Sequence, residues 1–99
     1  MATDKIRTQE VEGLLEEFAR LDNADHIYEL LMDLCTVREI TEMGARLQVA
    51  HLLAKKVPYT EIQKQTGVSS TTISRVSKCL NYGAGGYARA VKQDIDEEE

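Results

Sequence analysis

The chain has 99 residues, 42% of them hydrophobic and 29% charged, which is the composition of one small globular domain. One proline and six glycines in that length favour an all-α fold. Apolar runs fall short of the roughly 18 residues that a membrane span needs, and the polar first eight residues give no reason to expect a signal peptide. Two isolated cysteines, Cys35 and Cys79, argue against a disulfide framework or a zinc site and are expected to be buried thiols.

The net charge of −5 conceals a sharp division along the chain. Residues 1–44 carry four basic and eleven acidic side chains, whereas residues 45–92 carry eight basic side chains and a single acid, Glu61. Residues 93–99 are acidic again. Because a polyanion responds to the local field, the basic segment is a candidate nucleic-acid surface. The alternative is a solvated surface with a chance asymmetry of charge.

Apolar residues at helical spacing predict two helices in the acidic first half. The first covers about residues 6–20, and a polar break at about residues 21–25 separates it from the second. The two apolar stripes consist of Val11, Leu14, Leu15 and Phe18, and of Ile27, Leu30, Leu31 and Leu34.

A third helix is predicted from about residue 37 to residue 55. Thr36 and Glu39 have the spacing of a capping box at its start. Its inward stripe is expected to include Met43, Leu47 and Ala50. Pro58 interrupts this helix and suits the start of the next.

Three more helices are predicted in the remainder of the chain. A fourth helix covers about residues 59–65 and ends at Gly67, and a fifth covers about residues 70–80 with Ser69 as its N-cap. A glycine-rich turn then leads to a sixth helix at about residues 87–94. The domain is expected to span residues 1–93, followed by an acidic, disordered tail at residues 94–99.

Residues 58–80 have the pattern of a helix-turn-helix, in which a short helix, a tight turn and a second helix pack at a large angle. Ile62, Val68, Ile73 and Val76 would form the apolar wedge between the two helices. The predicted DNA contacts are Ser70, Thr71 and Ser74 to base edges, and Lys64, Ser69, Thr72, Arg75 and Lys78 to phosphates. The alternative is two short helices in a core, with serine and threonine as ordinary capping residues.

Residues 36–46 resemble the T-P-x-E-x-x-x-L-G-x-R motif of the Trp repressor superfamily, and residues 61–75 resemble its E-L-x-x-x-x-G-x-x-x-x-T-I-T-R motif. The run Asn-Tyr-Gly-Ala-Gly-Gly-Tyr at residues 81–87 is similar to the YerC/YecD branch of these Trp-repressor-like proteins. This resemblance implies a six-helix fold and an interwound homodimer. It also implies a bacterial, cytoplasmic transcriptional regulator, a repressor, that binds a pseudo-palindromic DNA operator through two helix-turn-helix units.

The same resemblance makes Arg46, Arg75 and Cys79 candidate effector-binding residues. In tryptophan-binding members, two arginines at the positions of Arg46 and Arg75 flank the indole ring. Val76 stands where those members have glycine, and Cys79 stands where they have serine. L-tryptophan is therefore a disfavoured corepressor, and the two arginines are more simply explained as surface or phosphate-facing cations.

Other functions find less support in the residues. His26 and His51 fall on different helices and do not predict a metal site. No nucleophile–base pair or phosphate-binding loop is readable, so the chain is not expected to be an enzyme. The remaining alternative to a DNA-binding regulator is a helical protein-interaction module whose acidic first half docks a basic partner.

Overall fold

The computed structural model describes the backbone of residues 5–98 and the side chains of residues 5–95. Over residues 5–98 the chain forms six α-helices and no β-strand, which confirms the all-α prediction. The helices are α1 (Gln9–Arg20), α2 (Ala24–Leu34), α3 (Val37–Ala54), α4 (Tyr59–Thr66), α5 (Ser70–Tyr82) and α6 (Gly86–Glu98). None of these helices is both long and apolar enough to cross a membrane. Residues 1–4, in the segment where no signal peptide is expected, lie outside the described residues. Glu99, the last residue of the predicted tail, also lies outside them.

The chain divides into two compact units, residues 1–40 and residues 41–99. The first unit contains α1, α2 and the first turn of α3. Polar side chains cap its helices: Thr8 accepts the backbone N–H of Val11, and Asn23 accepts that of Asp25 at 2.8 Å. Both helices are amphipathic, yet neither fully buries a residue, so their apolar stripes are only partly covered in the single chain.

The start of α3 is the predicted capping box. The backbone N–H of Glu39 donates to the Thr36 hydroxyl at 3.1 Å, and the Glu39 carboxylate accepts the backbone N–H of Thr36 at 2.7 Å. The hydrogen bond from the backbone N–H of Thr36 to the carboxylate is the main cause that lowers the pKa of Glu39 below its ordinary value, and a side-chain hydrogen bond from Thr36 adds to it. The capping box therefore satisfies two backbone donors where the helix begins.

The second unit contains the buried core, to which α3, α4, α5 and α6 all contribute. The buried side chains are Val49, Ala50, Ala54, Ile62, Ile73, Val76 and Val91. Two predicted inward residues of α3, Met43 and Leu47, are instead 41% exposed. The helical face that packs in the core runs through Val49, so the prediction of the α3 stripe was only partly correct.

Helix α3 ends in a Schellman motif centred on Lys56, which has a left-handed backbone at φ 65°. The N–H of Val57 donates to the carbonyl of Leu52 at 3.1 Å, and the N–H of Lys56 donates to that of Leu53 at 3.0 Å. This sharp reversal ends α3 shortly before Pro58, which caps α4.

Helix α6 is longer than predicted and extends into the segment expected to be an acidic tail. It continues to Glu98, and Asp94 is 9% exposed and paired with His51 of α3 and with Lys55, which directly follows α3. The acidic composition of residues 94–99 had predicted a solvated segment. Pairing of Asp94 with His51 and Lys55 instead accounts for order at that position.

Candidate nucleic-acid interface

The turn between α4 and α5 depends on a left-handed backbone at Gly67, where φ is 74°. The Gly67 N–H donates to the Gln63 carbonyl at 2.8 Å. The Thr66 hydroxyl donates to the Ile62 carbonyl at 2.7 Å and accepts the N–H of Val68 at 3.2 Å. Glycine adopts positive φ without a steric cost, which explains why this residue stands at the turn.

The predicted apolar wedge holds the two helices together. Helices α4 and α5 are in contact, and Ile62 and Ile73 are fully buried between them. Val76 is 2% exposed, and Val68 is half-buried against the same core. The burial of these four side chains fixes which face of α5 points away from the core.

Ser69 is the N-cap of α5, as predicted. Its hydroxyl accepts the backbone N–H of Thr72 at 3.2 Å and donates to the Thr72 hydroxyl at 3.1 Å. Thr72 is half-buried, in contrast to the exposed residues beside it. Ser69 and Thr72 are therefore joined to each other, which orders the first turn of α5.

The remaining predicted contact residues are accessible to a ligand. Six of them are exposed: Lys64, Ser70, Thr71, Ser74, Arg75 and Lys78. Lys64 belongs to α4, and the other five belong to α5. Small hydroxyl side chains thus occupy the N-terminal turns of α5, with cations following along the same helix.

A cavity of about 490 Å³ lies between α3, α5 and α6. It brings together Arg46, Arg75 and Cys79, the three candidate effector residues. Arg46 Nε donates to the carbonyl of Glu42 at 3.3 Å. Val68, Thr72 and Val76 also line this cavity.

The sequence analysis did not predict some features of this region. Glu42 and Tyr87 line the cavity, although neither was a candidate; the four-residue spacing of Glu42 and Arg46 could have suggested the first. Cys79 is exposed, which contradicts its expected burial, and both cysteines are free. The expectation failed because it used residue type alone and could not place Cys79 at a cavity.

The fold and the exposed α5 define a helix-turn-helix protein in which the second helix projects small polar and basic side chains beside a cavity. The chain belongs to the Trp repressor family, since the model of the Trp repressor protein family matches residues 9–95. Members of this family are regulators without enzymatic activity, which confirms that the chain is not an enzyme.

Individual relatives agree with the family assignment. The uncharacterised protein YerC of Bacillus subtilis (strain 168) is 40% identical over 91 residues, which cover 92% of this chain and 88% of YerC. A Trp operon repressor homolog of Mannheimia succiniciproducens is 40% identical over 72 residues, covering 72% and 71% of the two chains. The crystal structure of a TrpR like protein from Eubacterium eligens ATCC 27750 superposes with a TM-score of 0.86 at 39% identity, covering 91% and 93%.

Proposed function

We propose that this protein is a transcriptional repressor that binds a pseudo-palindromic DNA operator as a homodimer, with α5 in the major groove. The observation that carries the proposal is the exposure of Ser70, Thr71 and Ser74 on a helix whose opposite face is buried through Ile73 and Val76. Short hydroxyl side chains at the start of a helix can approach base edges closely and exchange hydrogen bonds with them.

The charge distribution supports a polyanionic partner. Residues 45–92 carry eight basic side chains against one acid, and Lys64, Arg75 and Lys78 are exposed on the helix-turn-helix. Cations beside a duplex displace condensed counterions, so they contribute affinity for any sequence and make binding salt-dependent. The N-terminus of α5 adds backbone N–H groups that favour a phosphate oxygen.

The homodimer is supported by apolar side chains that the single chain leaves uncovered. Leu14 and Leu15 of α1, Met32 and Leu34 of α2, and Met43 and Leu47 of α3 are between 38% and 55% exposed. Large apolar side chains that stay exposed on each of several helices of a small chain are typical of a protein interface. A second copy with the same surface would give two reading helices related by a two-fold axis, as a pseudo-palindrome requires.

The proposal is tested by selecting genomic fragments with the purified protein and measuring affinities for the recovered sequence and for random DNA. Ser70→Ala and Thr71→Ala should each cost about 1–3 kcal/mol on the selected sequence and little on random DNA, because they remove base contacts. Lys78→Ala should weaken both alike and reduce the salt slope by about one, because it removes a phosphate contact.

Equal losses on both DNAs for all three variants would contradict these roles. Failure to recover any fragment, together with no salt-dependent retardation of DNA, would instead favour the protein-interaction module. The acidic first half of the chain would then be the surface that docks a basic partner.

A small-molecule effector in the cavity is a second candidate function, favoured by the convergence of Arg46, Arg75 and Cys79 on that space. Two guanidinium groups suit an anionic or aromatic ligand. The family's corepressor, L-tryptophan, remains disfavoured because Val76 occupies the wall where tryptophan-binding members have glycine.

A further inference from the structure

A carboxylate of α6, an imidazole of α3 and an ammonium group just after α3 meet near the C-terminal end of α3. Asp94 Oδ2 pairs with Nδ1 of His51, and Asp94 Oδ1 lies 3.7 Å from Nζ of Lys55. Among the side chains that the structure describes, Asp94 is the buried charged one. His51 lies in the last turn of α3 and Lys55 directly follows that helix, four residues later, so the two side chains can hold the two oxygens of a single carboxylate. These three residues are called the α3–α6 cluster below.

The face of α6 that carries Asp94 also reaches the cavity. Tyr87, Val91 and Asp94 are spaced by four and three residues and therefore form one stripe along α6. Val91 is fully buried in the core, and Tyr87 lines the cavity together with Arg46 and Arg75. One rigid helix thus connects the α3–α6 cluster to the cavity wall.

The connection before α6 does not itself determine where α6 lies. It is glycine-rich over residues 83–86, and Gly85 has φ 100°, a conformation that glycine adopts without strain. The contact of Val91 with the core is apolar, and apolar attraction is not directional. Helix α6 also contacts α5, and a directional interaction can add to these contacts by favouring one position of α6 along its axis.

We propose that His51, Asp94 and Lys55 specify the axial position of α6 against α3, and thereby place Tyr87 in the cavity wall. A shift of α6 by one helical turn is about 5.4 Å and would carry the carboxylate away from both His51 and Lys55. An unpaired buried carboxylate is strongly disfavoured, so such a shift would cost free energy. An apolar contact at the same place would impose no such cost.

Specificity explains this cluster better than stability does. Replacing a buried ion pair by apolar residues of similar volume often leaves stability unchanged or raises it, whereas one directional polar contact can select a single register. His51, Asp94 and Lys55 are therefore positioning residues for the cavity wall. The consequence for DNA or effector binding rests on the proposed function, but the placement of α6 does not.

The test uses the full chain with three changes: the apolar double variant His51→Leu/Asp94→Leu, the exchanged double variant His51→Asp/Asp94→His, and Asp94→Asn. The measurements are amide hydrogen exchange along α6 and the NMR signals of the Tyr87 ring. The apolar variant should still unfold cooperatively, but its α6 amides should exchange at least about tenfold faster and its Tyr87 signals should broaden or double. The exchanged variant, which keeps a carboxylate and an imidazole at the contact, should restore slow exchange and a single set of Tyr87 signals.

Unchanged α6 exchange and Tyr87 signals in the folded apolar variant would overturn the proposal, because packing alone would then place the helix. An exchanged variant that folds but does not recover the wild-type signals would overturn it as well. Should the apolar variant not fold, Asp94→Asn decides, since it retains the size and an acceptor of the aspartate while removing its charge.

DNA affinity is measured separately from hydrogen exchange and the NMR signals, so that the two proposals can fail independently. If the wild-type protein selects an operator, the apolar and Asp94→Asn variants should bind it more weakly than wild type, and the exchanged variant should regain affinity. If the wild-type protein binds no DNA, the proposed function fails while the exchange data still decide the role of the α3–α6 cluster.

Discussion

Val76 reduces the space available in the cavity between α3 and α5. It is 2% exposed and lines the cavity beside Arg75. We expect that Val76→Gly increases the affinity for L-tryptophan by at least about tenfold, because even one methylene in a tight pocket is worth roughly 1–3 kcal/mol. Calorimetric titration measures this, with Val68→Ala, a change elsewhere in the same wall, as the control. Wild-type protein that binds tryptophan as tightly as the variant would show that Val76 is no obstacle.

Asp94 gives the fold a defined dependence on acid. The hydrogen bond from His51 lowers the pKa of Asp94 below its ordinary value, against the opposing effect of burial. Because the folded-state pKa is the lower one, ionised Asp94 stabilises the fold above the unfolded-state pKa of about 3.9, and this contribution is lost as the pH falls through the folded-state value.

The stability advantage of wild type over Asp94→Asn should therefore be full near neutral pH and shrink on acidification, as measured by urea unfolding at a series of pH values. In a His51→Leu background the same substitution should give a flatter difference curve, since the main cause of the lowered pKa is gone. A wild-type advantage that grows on acidification would reverse the sign of this prediction.

The pairing of His51 with Asp94 illustrates what the sequence could not predict at the scale of single residues. The two residues are 43 positions apart, and no local pattern relates them. Asp94 begins a run of acids, and the acidic composition of this run predicts a solvated tail. Only the three-dimensional structure shows that its partners are His51 and Lys55. The convergence of Arg46 and Arg75 was anticipated, because a family motif carries information about distant positions.

At the scale of the helices, the signals that proved reliable are those that act within one turn. Thr36 with Glu39, Ser69 and Gly67 form the predicted caps, since capping depends on neighbouring backbone groups alone. The inward face of α3 was harder to predict because Met43 and Leu47 are as apolar as its buried residues. Periodicity identifies an apolar face but not which of several surfaces covers it.

Two left-handed residues permit a matched test of the helix ends. Gly67→Ala should lower the free energy of unfolding by about 1–2 kcal/mol, because a Cβ is disfavoured at φ 74°. Lys56→Gly should raise it by up to about 1 kcal/mol, because glycine relieves the same conformation at φ 65°. Urea unfolding at one fixed protein concentration measures both. A loss of stability in both variants would mean that contacts of the Lys56 side chain outweigh its backbone strain.

At the scale of the whole molecule, the partly exposed apolar stripes of α1, α2 and α3 raise the question of whether stability depends on association with a second chain. These stripes include Leu15, which is 41% exposed on an amphipathic helix. If a second copy covers them, folding and association are linked, and the stability of the fold depends on protein concentration.

We therefore expect the apparent free energy of unfolding to rise by about 1.4 kcal/mol for each tenfold increase in protein concentration, the dependence of a dimer that unfolds to two separate chains. Urea unfolding over a hundredfold concentration range tests this, and sedimentation equilibrium gives the mass of the native species. Leu15→Glu should abolish the concentration dependence and lower the stability, because it places a charge on the apolar face of α1. The control, Glu16→Gln at the adjacent position, should preserve the concentration dependence and the stability. Unfolding that is independent of concentration in the wild-type protein would leave the operator with a single reading helix and remove the basis for a palindromic site.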